Sequence, residues 1–282
     1  MSAVDFRGRV AVVTGASSGI GAATARALAH RGCTVVGIAR REDLLAEVAR
    51  TCQAGAPASS WLAGDLRDRG FAERVISDTL ERHGRVDILV NNAAIPVRKE
   101  LYRTSVEEAE DAMRINFLAC LWTTFAAIPV MLRQGEGWIV NVSSFASKVV
   151  PTHEALYAAS KSALNAFTEG LWNDLRGSNI HAALIHPGPI DTEIWEKGDV
   201  RDTYRGRKWP AELVANGILE AIEKRRFELT LPRRSPPLLV ARFLRLVAPR
   251  LLRFGMARFD GVAPEAVEAA RARARDGKPL GE

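Results

Sequence analysis

The sequence has few of the residues that build disulfide frameworks and metal sites. Its 282 residues include three cysteines, Cys33, Cys52 and Cys120, which are widely spaced and form no CxxC pair. We interpret them as reduced thiols of a cytoplasmic protein. The five histidines show no HxxxH or HxH spacing, and so no metal ion is predicted.

Long hydrophobic runs are also missing. No uninterrupted apolar run approaches the ~18 residues that indicate a membrane-spanning helix. The first residues, MSAVDFRGR, are polar and charged and lack the pattern of a secretory signal peptide. Hydrophobic residues still make up 47% of the chain, which is ample for a core, and the length favours one large α/β domain over two.

The excess of basic over acidic residues lies mainly toward the C-terminus. The chain has a formal net charge of +6, and residues 201–282 contain 18 Lys and Arg against 10 Asp and Glu. Nucleic-acid binding would require basic residues interleaved with stacking aromatics on a recognisable module, and the sequence shows none. No nucleic-acid partner is predicted.

Short apolar runs alternate with helix-length segments along the chain. Runs that are apolar on both faces and joined by helices predict a parallel sheet covered on both sides. We therefore predict an α/β fold with a doubly wound, Rossmann-like parallel sheet, whose ligands lie at the carboxyl ends of the strands. The runs are VAVVT (10–14), TVVGIA (34–39), VDILVN (86–91), GWIVNVS (137–143) and IHAALIH (180–186).

The stretch TGASSGIG, residues 14–21, follows the first predicted strand and opens the first helix. Glycines at 15, 19 and 21 allow a tight turn and the close approach of a pyrophosphate, which the helix N-terminus stabilises. A glycine-rich turn without a ligand has the same local pattern. The strand–loop–helix context favours a nucleotide.

The end of the second strand predicts which nucleotide binds. A carboxylate there would accept hydrogen bonds from a ribose 2′-hydroxyl, whereas this chain has Ala39, Arg40 and Arg41. Guanidinium groups match a 2′-phosphate in charge and geometry. Two solvated arginines at a helix start are the alternative, but a helix N-terminus disfavours cations unless an anion is near. We predict NADP(H) rather than NAD(H), with Arg40 as the contact.

Seven motifs occur in an order and spacing that resembles the short-chain dehydrogenase/reductase family, in its compact single-domain form. The resemblance covers roughly residues 5–231, which we predict to be a Rossmann-like NADP(H)-binding catalytic domain. Residues 232–282 are predicted to be a basic, amphipathic C-terminal extension. The motifs are TGASSGIG (14–21), GDL (64–66), NNAA (91–94), Asn116, NVSS (141–144), YAASK (157–161) and PGPIDT (187–192).

The resemblance implies a cofactor site built from these motifs. Asp65 and Leu66 would flank the adenine, and Ile190 and Thr192 would hold the nicotinamide carboxamide. The chain departs from the family at Ala94, where glycine is usual, and the added methyl would crowd the cleft slightly. Together with Arg40, the expected cofactor-binding residues are Gly15, Ser17, Ser18, Gly19, Ile20, Gly21, Asp65, Leu66, Asn92, Ala93, Tyr157, Lys161, Pro187, Gly188, Ile190 and Thr192.

The same resemblance implies four catalytic residues. Tyr157 would be the general acid/base, Lys161 would bind the nicotinamide ribose, and Asn116 would hold a water in a proton relay. In similar proteins the catalytic serine precedes the tyrosine by thirteen residues, which selects Ser144 over its neighbour Ser143. Alternation along the strand also directs these two serines to opposite sides.

The spacing of Tyr157 and Lys161 has a physical consequence. A free tyrosine has a pKa of ~10, too high for efficient base catalysis near neutrality. Lys161 follows Tyr157 by one helical turn, and an ammonium ~4 Å away contributes ~4 kcal/mol at an effective dielectric of 20. We therefore expect Lys161 to lower the pKa of Tyr157. A lone Tyr-xxx-Lys on a helix surface would carry no such meaning.

The substrate is predicted to be apolar. Trp195, Tyr204 and Trp209 lie after PGPIDT, in a loop that closes over substrate in similar enzymes. These aromatics contact an apolar substrate or merely pack the loop onto the body. His153 lies between Ser144 and Tyr157, and is either a substrate contact or a solvated loop histidine.

Two further segments predict contacts with partners. Similar enzymes form dimers or tetramers through the helices that hold Asn116 and Tyr157, and Leu164, Phe167, Leu171 and Leu175 form an apolar stripe on the second one. Such a stripe suits either subunit pairing or burial within one subunit. A homodimer or homotetramer is therefore predicted.

The segment LLVARFLRLVAPRLLRF, residues 238–254, is predicted to be a basic amphipathic helix that Pro249 kinks or divides. It suits a membrane interface, or it covers the substrate cleft or a partner subunit. Its predicted basic face holds Arg242, Arg245, Arg250 and Arg253, and its apolar face holds Phe243, Leu244, Val247, Leu251 and Phe254.

The function predicted from these features is the NADP(H)-dependent interconversion of an apolar secondary alcohol and its ketone. A catalytically silent nucleotide sensor or scaffold on the same fold is the alternative, but it would be expected to lack Tyr157 or Lys161. An epimerase or dehydratase of the extended branch would usually show GxxGxxG and a larger substrate domain. Neither is present.

Overall fold

A computed structural model describes residues 4–196, 204, 206–259 and 264–276. It contains seven strands joined mainly by helices. The strands are β1 Val10–Thr14, β2 Thr34–Ala39, β3 Ser60–Ala63, β4 Ile88–Asn91, β5 Gly137–Val142, β6 Ile180–Pro187 and β7 Glu228–Leu231. The α-helices are α1 Gly19–His30, α2 Glu42–Gln53, α3 Arg69–His83, α4 Val106–Met113, α5 Ala119–Gln134, α6 Ala155–Asp174, α7 Ala211–Glu223, α8 Pro236–Val247, α9 Pro249–Phe259 and α10 Pro264–Arg275.

The strands form one parallel sheet in the order β3-β2-β1-β4-β5-β6-β7. Val12 of β1 pairs with Val36 of β2 on one side and with Leu89 of β4 on the other. The chain therefore turns from one half of the sheet to the other beside β1, and a crevice opens there at the carboxyl ends of the strands. The predicted doubly wound α/β fold is confirmed.

The central strands are buried on both faces, as their continuous apolar runs predict. Ala11 and Val13 of β1 pack with α1, α2 and α7 on one face of the sheet. Val10 and Val12 pack with α3, α5 and α6 on the other face. Successive residues of a strand point to opposite faces, so each strand contributes to two cores.

The predicted apolar stripe of α6 faces the protein interior. Leu164, Leu171 and Leu175 are buried, and the last two belong to the core beneath α5. Phe167 is half-buried and its ring meets that of Phe125 edge-on, with 6.2 Å between ring centroids. For Leu164, Leu171 and Leu175 the structure therefore favours the second alternative, burial within one subunit, whereas the predicted oligomer stays untested.

The segment after Leu231 forms separate helices. Pro249 divides the predicted amphipathic helix into α8 and α9, since proline cannot continue the hydrogen-bond ladder of α8. Leu252 of α9 packs with Phe145 and Val149, next to the end of β5. β7 ends at Leu231, and the predicted division of the chain at this point stays a prediction.

One helix in the described part of the chain is long and apolar enough to cross a membrane by length and composition. It spans Val106–Gln134, and half of its most apolar stretch is buried inside the protein. Its residues Ala119, Ala127 and Met131 belong to the core under the sheet, which accounts for its composition.

Candidate active site

The glycine-rich loop between β1 and α1 is packed so tightly that side chains would not fit. Gly15 has a φ of +68°, and a Cβ there would lie 2.8 Å from the Asn92 amide nitrogen. A Cβ on Gly21 would lie 2.2 Å from the Gly15 carbonyl oxygen. The loop therefore lies directly on the end of β4, with the backbone of the first helical turn exposed toward the crevice. This cradle fits the pyrophosphate of a dinucleotide.

Thr14 and Asn92 hold the loop in place. The Thr14 hydroxyl accepts hydrogen bonds from the backbone N–H groups of Asn92 and Ala93, at 2.9 and 3.0 Å. The Asn92 amide in turn donates to the Thr14 carbonyl at 2.9 Å. The two expected cleft residues, Asn92 and Ala93, thus lie beside the predicted phosphate loop.

Arg41 reaches the glycine-rich loop, and Arg40 does not. The Arg41 guanidinium donates to the Ser18 hydroxyl at 2.8 Å and to the Ser17 hydroxyl at 3.4 Å. It also forms an ion pair with Glu193 at 2.8 Å. Arg40 is exposed and forms no hydrogen bond or ion pair within the described residues.

The prediction that Arg40 contacts the cofactor stays a prediction, and the structure adds Arg41 as a second candidate because its guanidinium reaches the glycine-rich loop. Arg41 occupies the N-cap position of α2 but makes no capping hydrogen bond with its side chain. The side chain extends to the glycine-rich loop instead. The sequence signal was present in the pair Arg40-Arg41, but a strand end does not specify which of two neighbours faces the crevice.

Asp65 and Leu66 follow β3 at the same edge of the sheet. Leu66 is buried, whereas Asp65 accepts hydrogen bonds from the Arg67 side chain at 2.7 and 3.0 Å. Burial acts to raise the pKa of Asp65, but the hydrogen bonds from Arg67 outweigh it and hold that pKa below its usual range. Asp65 is therefore a carboxylate at neutral pH, with its ion-pair partner already in place.

Asn91 joins β4 to β5 and α5 rather than lining the crevice. Its side-chain nitrogen donates to the Asn141 side-chain oxygen at 2.9 Å, and its side-chain oxygen accepts from the Thr123 hydroxyl at 2.8 Å. Asn141 donates to the Thr168 hydroxyl of α6 at 2.9 Å. All four side chains are buried, and this network aligns the strands that carry the site.

The two serines after β5 have different surroundings. Ser143 is buried and donates to the Asn165 side-chain oxygen at 2.6 Å. Ser144 is half-buried, its hydroxyl accepts from the Ala146 N–H at 3.1 Å, and it shares a side-chain hydrogen bond with Tyr157. The structure thus brings Ser144, and not Ser143, to the tyrosine.

Tyr157 lies in the first turn of α6 and has a high pKa. Burial and, to a lesser extent, the Glu154 carboxylate raise the pKa to about 12, against the opposing effect of the hydrogen bond with Ser144. The expectation that Lys161 lowers this pKa is not met in the structure. The Lys161 ammonium lies 6.0 Å from the tyrosine ring centroid and donates to the Val142 carbonyl at 2.9 Å. Burial of the phenol therefore has the larger effect on the pKa of Tyr157.

Lys161 is a buried cation on the same face of α6. Only 2% of the residue is exposed, and this burial lowers its pKa from 10.5 to about 8. It is therefore still largely protonated at pH 7, although a small change in its surroundings would release the proton.

Asn116 lies in a π-helical turn, Arg114–Leu118, between α4 and α5. Its side-chain oxygen accepts from the Ile95 N–H at 2.8 Å, and its amide donates to the Ile95 carbonyl and to the Ser160 hydroxyl at 3.0 and 3.1 Å. Asn116 thus ties the loop after β4 to α6. Single π-turns inside helices often occur at functional sites.

The segment after β6 closes the crevice from the other side. Pro187 ends β6, and the Gly188 N–H donates to the Leu231 carbonyl at 2.7 Å. Ile190 is buried and forms a bridge with Trp209. Thr192 lies over the phosphate loop. A Cβ added to Gly19 would come within 3.0 Å of the Thr192 methyl group.

Aromatic and charged side chains surround the approach to Tyr157. Trp195 donates its indole N–H to the Ile190 carbonyl at 2.5 Å and stacks on Tyr204, with 5.8 Å between ring centroids. The Arg98 guanidinium lies 4.7 Å from the centre of the Trp195 ring and pairs with Glu154 at 2.6 Å. Arg98 and Glu154 were not foreseen, since a single arginine and a single glutamate carry no pattern.

His153 has a left-handed backbone conformation, with a φ of +64°. Its carbonyl accepts a hydrogen bond from the Lys99 N–H at 2.9 Å, and its ring nitrogen Nδ1 is buried without a hydrogen-bond partner among the described residues. The Nδ1 atom is thus shielded from solvent while the residue as a whole is partly exposed, so both interpretations of His153 stay predictions.

The fold and these contacts define a class of protein. A tight glycine loop at the β1–α1 turn, with a serine after β5 and a tyrosine and a lysine in the first turns of α6, is the arrangement of nicotinamide-dependent oxidoreductases on a Rossmann-like sheet. The family model described as short chain dehydrogenase matches residues 9–202. The chain belongs to the short-chain dehydrogenase/reductase family, and it is an oxidoreductase of the dehydrogenase type that uses NAD(P).

Several relatives are similar over most of the chain. An uncharacterised oxidoreductase of Staphylococcus saprophyticus is 36% identical over 222 residues, covering 78% of this chain and 94% of the relative. The 2-(R)-hydroxypropyl-CoM dehydrogenase of Xanthobacter autotrophicus is 36% identical over 207 residues, covering 71% and 83%. Dehydrogenase/reductase SDR family member 7B of Rattus norvegicus is 32% identical over 262 residues, covering 87% and 79%.

Solved structures include complexes with either nicotinamide cofactor. A short-chain dehydrogenase/reductase from Burkholderia phymatum in complex with NAD has a TM-score of 0.80 and 28% identity, covering 88% of this chain and 96% of that one. An alcohol dehydrogenase from Thermococcus sibiricus complexed with 5-hydroxy-NADP has a TM-score of 0.72 and 26% identity, covering 81% and 98%. These similarities show the fold, and they leave the choice between the two cofactors open.

Proposed function

We propose that this protein is an NADP(H)-dependent oxidoreductase that interconverts an apolar secondary alcohol and its ketone, with Tyr157 as general acid/base. The observation that carries the proposal is the convergence of Ser144, Tyr157 and Lys161, on a sheet whose β1–α1 turn is a tight glycine-rich loop. The 2-(R)-hydroxypropyl-CoM dehydrogenase, a relative at 36% identity, is by its name a dehydrogenase of a secondary alcohol.

Each residue has a distinct role in the proposal. The bound nicotinamide supplies or accepts the hydride, which no protein side chain provides. Tyr157 gives its proton to the ketone oxygen, while Ser144 donates a hydrogen bond that stabilises the charge developing there. Lys161 stabilises the phenolate that Tyr157 leaves behind and binds the cofactor ribose. Asn116 keeps Ile95 and α6 in register through three hydrogen bonds, and the water of the proposed proton relay would lie beside it.

The pKa of Tyr157 bears on the pH dependence of the proposed reaction. A phenol with a pKa of about 12 remains protonated at neutral pH and can act as an acid in ketone reduction. Alcohol oxidation requires the phenolate, so we expect its rate to rise with pH above neutrality.

The preference for NADP(H) rests on Arg41. Its guanidinium lies within hydrogen-bond distance of Ser18 in the glycine-rich loop, next to where a ribose 2′-phosphate would extend from the cradle. In this structure the same guanidinium forms an ion pair with the Glu193 carboxylate. A dianionic phosphate would compete with that carboxylate for Arg41.

Substituting Arg41 tests the cofactor assignment. Arg41→Ala should lower the NADPH-to-NADH ratio of kcat/KM roughly ten- to a hundredfold, since a charge-assisted hydrogen bond contributes ~1.5–3 kcal/mol. Glu193→Gln should raise the ratio by freeing the guanidinium. Arg40→Ala is the matched control and should change it less. A parent enzyme that prefers NADH, or a larger effect at Arg40, would contradict the assignment.

The substrate proposal follows from the aromatic rim. Trp195 and Tyr204 present stacked rings near the approach to Tyr157, and the charge of Arg98 is balanced by Glu154. Such a wall accommodates an apolar body better than an ionic one. Consumption of NADPH, measured against a panel of ketones, aldehydes and sterol-like carbonyl compounds, tests the proposal. Activity confined to small charged carbonyls would contradict it.

We also propose that the enzyme is a homodimer or homotetramer, with α5 and α6 at the interface. Phe125, Leu132 and Trp172 are exposed by 58, 52 and 43% on these helices, in place of the buried stripe predicted from the sequence. Sedimentation at micromolar protein should give a dimer or tetramer, and Phe125→Glu should shift it toward monomer. Leu101→Glu, at an equally exposed leucine outside these helices, should not. A monomeric parent would refute the interface.

The cytoplasmic location remains a prediction. It is consistent with Cys33, Cys52 and Cys120, which are all free and buried thiols. Burial raises the pKa of each of them to about 11 or 12, so that they remain protonated and unreactive at neutral pH.

A further inference from the structure

The outer surface of α8 and α9 exposes a continuous set of large apolar side chains, here called the apolar face. In the described part of the chain, half of the exposed large hydrophobic residues belong to this one segment. Exposure reaches 80% at Leu246 and is at least 52% at every member. Monomeric soluble proteins rarely expose contiguous apolar patches above a few hundred Å². The apolar face consists of Leu239, Val240, Phe243, Leu246, Val247, Leu251 and Phe254.

The opposite side of both helices is already used for packing. Leu238 and Leu244 of α8, and Leu252 and Met256 of α9, pack against the cluster that contains Phe145. The sequence placed Leu244 on the same side of the predicted helix as Phe243. In the structure it lies on the inner side of α8 instead. The helices are thus apolar on two sides, and the protein covers only one of them.

Arginines border the apolar face without acidic partners. Residues 229–259 contain seven arginines and no aspartate or glutamate. Arg242, Arg245, Arg250 and Arg253 are exposed, and none of them forms an ion pair within the described residues. At ~100° per residue, Arg242 lies on the flank of α8, between Leu238 of the inner side and Leu246 of the apolar face, whereas Arg245 lies closer to the inner side and is exposed. An arginine on the flank extends its charge past the apolar side chains.

A cleft between β7 and the start of α8 adds to the positive charge. It has a volume of about 230 Å³ and is lined by Arg226, Arg233 and Arg242, with Leu239 of the apolar face at its edge. The single carboxylate in its lining, Glu228, is paired with Lys148, and Arg226 and Arg233 are paired with Glu220. Arg242 is the arginine of the lining that has no acidic partner among the described residues. The cleft is therefore suited to an anionic group next to an apolar one.

We infer that α8 and α9 form a docking surface for an anionic lipid bilayer. A bilayer interface offers apolar chains to the seven exposed side chains and negative headgroups to the flanking arginines, which matches both features at once. A second copy of this chain fits less well, since pairing through the same surface would bring arginines against arginines. The inference does not depend on the proposed catalytic roles.

The location of the surface would bring the active site close to the bilayer. Beneath α9, the Thr152 hydroxyl donates to the Met256 carbonyl at 3.5 Å, and Thr152 belongs to the segment that connects Ser144 with Tyr157. Beneath α8, a Cβ on Gly188 would lie 2.9 Å from Leu238. A docked enzyme would therefore hold its crevice near carbonyl compounds dissolved in the lipid.

Flotation of the full-length protein with vesicles tests the inference. The protein should float with vesicles of phosphatidylcholine and phosphatidylglycerol at low salt, and high salt should release it. Phe243→Ser with Leu246→Ser should lower the partition coefficient on the order of 100-fold, because two exposed apolar side chains are removed. Arg242→Gln with Arg245→Gln should lower it roughly 10–30-fold, and only on anionic vesicles.

Val106→Ser is the matched control, because Val106 is 69% exposed on α4 and lies outside the apolar face. It should float like the parent. Unchanged thermal unfolding of each variant establishes that the fold is intact. The inference is overturned if the intact protein does not float at low salt, or if the Phe243 and Leu246 variant floats like the parent. It is also overturned if that variant only converts a dimer to monomer in sedimentation while no vesicle is bound.

Discussion

Tyr157→Phe should reduce turnover by ~10²–10⁴-fold while leaving NADPH binding intact, because the change removes only the ionisable hydroxyl. The phenylalanine ring fills the same space in the first turn of α6, so the fold should be retained. The hydroxyl that is lost is the one that shares a hydrogen bond with Ser144. The measurement is steady-state NADPH oxidation with a ketone substrate, together with a fluorescence titration of NADPH binding.

Tyr102→Phe provides the matched control for this substitution. Its hydroxyl is also buried, but it has no hydrogen-bond partner among the described residues. Removing it should therefore change neither turnover nor stability appreciably. Turnover of the Tyr157 variant within a few-fold of the parent would remove Tyr157 from the proposed mechanism. Equal losses at both tyrosines would indicate a packing effect instead.

Lys161→Met should reduce turnover roughly 10²-fold and at the same time stabilise the protein. The ammonium lies 6.0 Å from the Tyr157 ring centroid. In the proposed mechanism this ammonium stabilises the charge that develops on Tyr157, and losing a preorganised group of that kind typically costs on the order of 10²-fold in rate. The same cation is buried, and its lowered pKa means that the folded state disfavours the charge. Removing it should raise the free energy of unfolding by about 1–2 kcal/mol at pH 7, after the lost hydrogen bond to Val142 is subtracted.

The pH dependence of stability distinguishes this explanation from a general packing effect. The unfolded chain keeps the proton on Lys161 up to about pH 10.5, whereas the folded state releases it near pH 8. The unfolded state therefore binds more protons between these values, and the contribution of this group to stability rises with pH across that window. Denaturant unfolding of the parent should show this rise, and Lys161→Met should lack it. Identical pH profiles for both proteins would contradict the burial of a charged Lys161.

Much of the fold and of the candidate site follows from local sequence. The apolar runs predicted five of the seven strands, and the glycine spacing at Gly15, Gly19 and Gly21 located the β1–α1 turn. Strands β3 and β7 lie at the two edges of the sheet and are partly exposed, so polar residues interrupt their apolar runs. The order of the motifs also brought Ser144 and Tyr157 together, because all of them follow strand ends or begin helices.

The sequence by itself determined the alternation of strands and helices, the sheet type and the identity of the residues near the crevice. These depend on the periodicity of apolar residues and on the positions of glycines, which are properties of short segments. Only the tertiary structure decided that Arg41 rather than Arg40 reaches the loop, and that the stripe of α6 faces the core. It also decided that burial raises the pKa of Tyr157 and that the outer side of α8 is uncovered. Each of these depends on which side chain faces which neighbour across the fold, and on how much water remains there. Those distances arise only when segments far apart in the chain pack together.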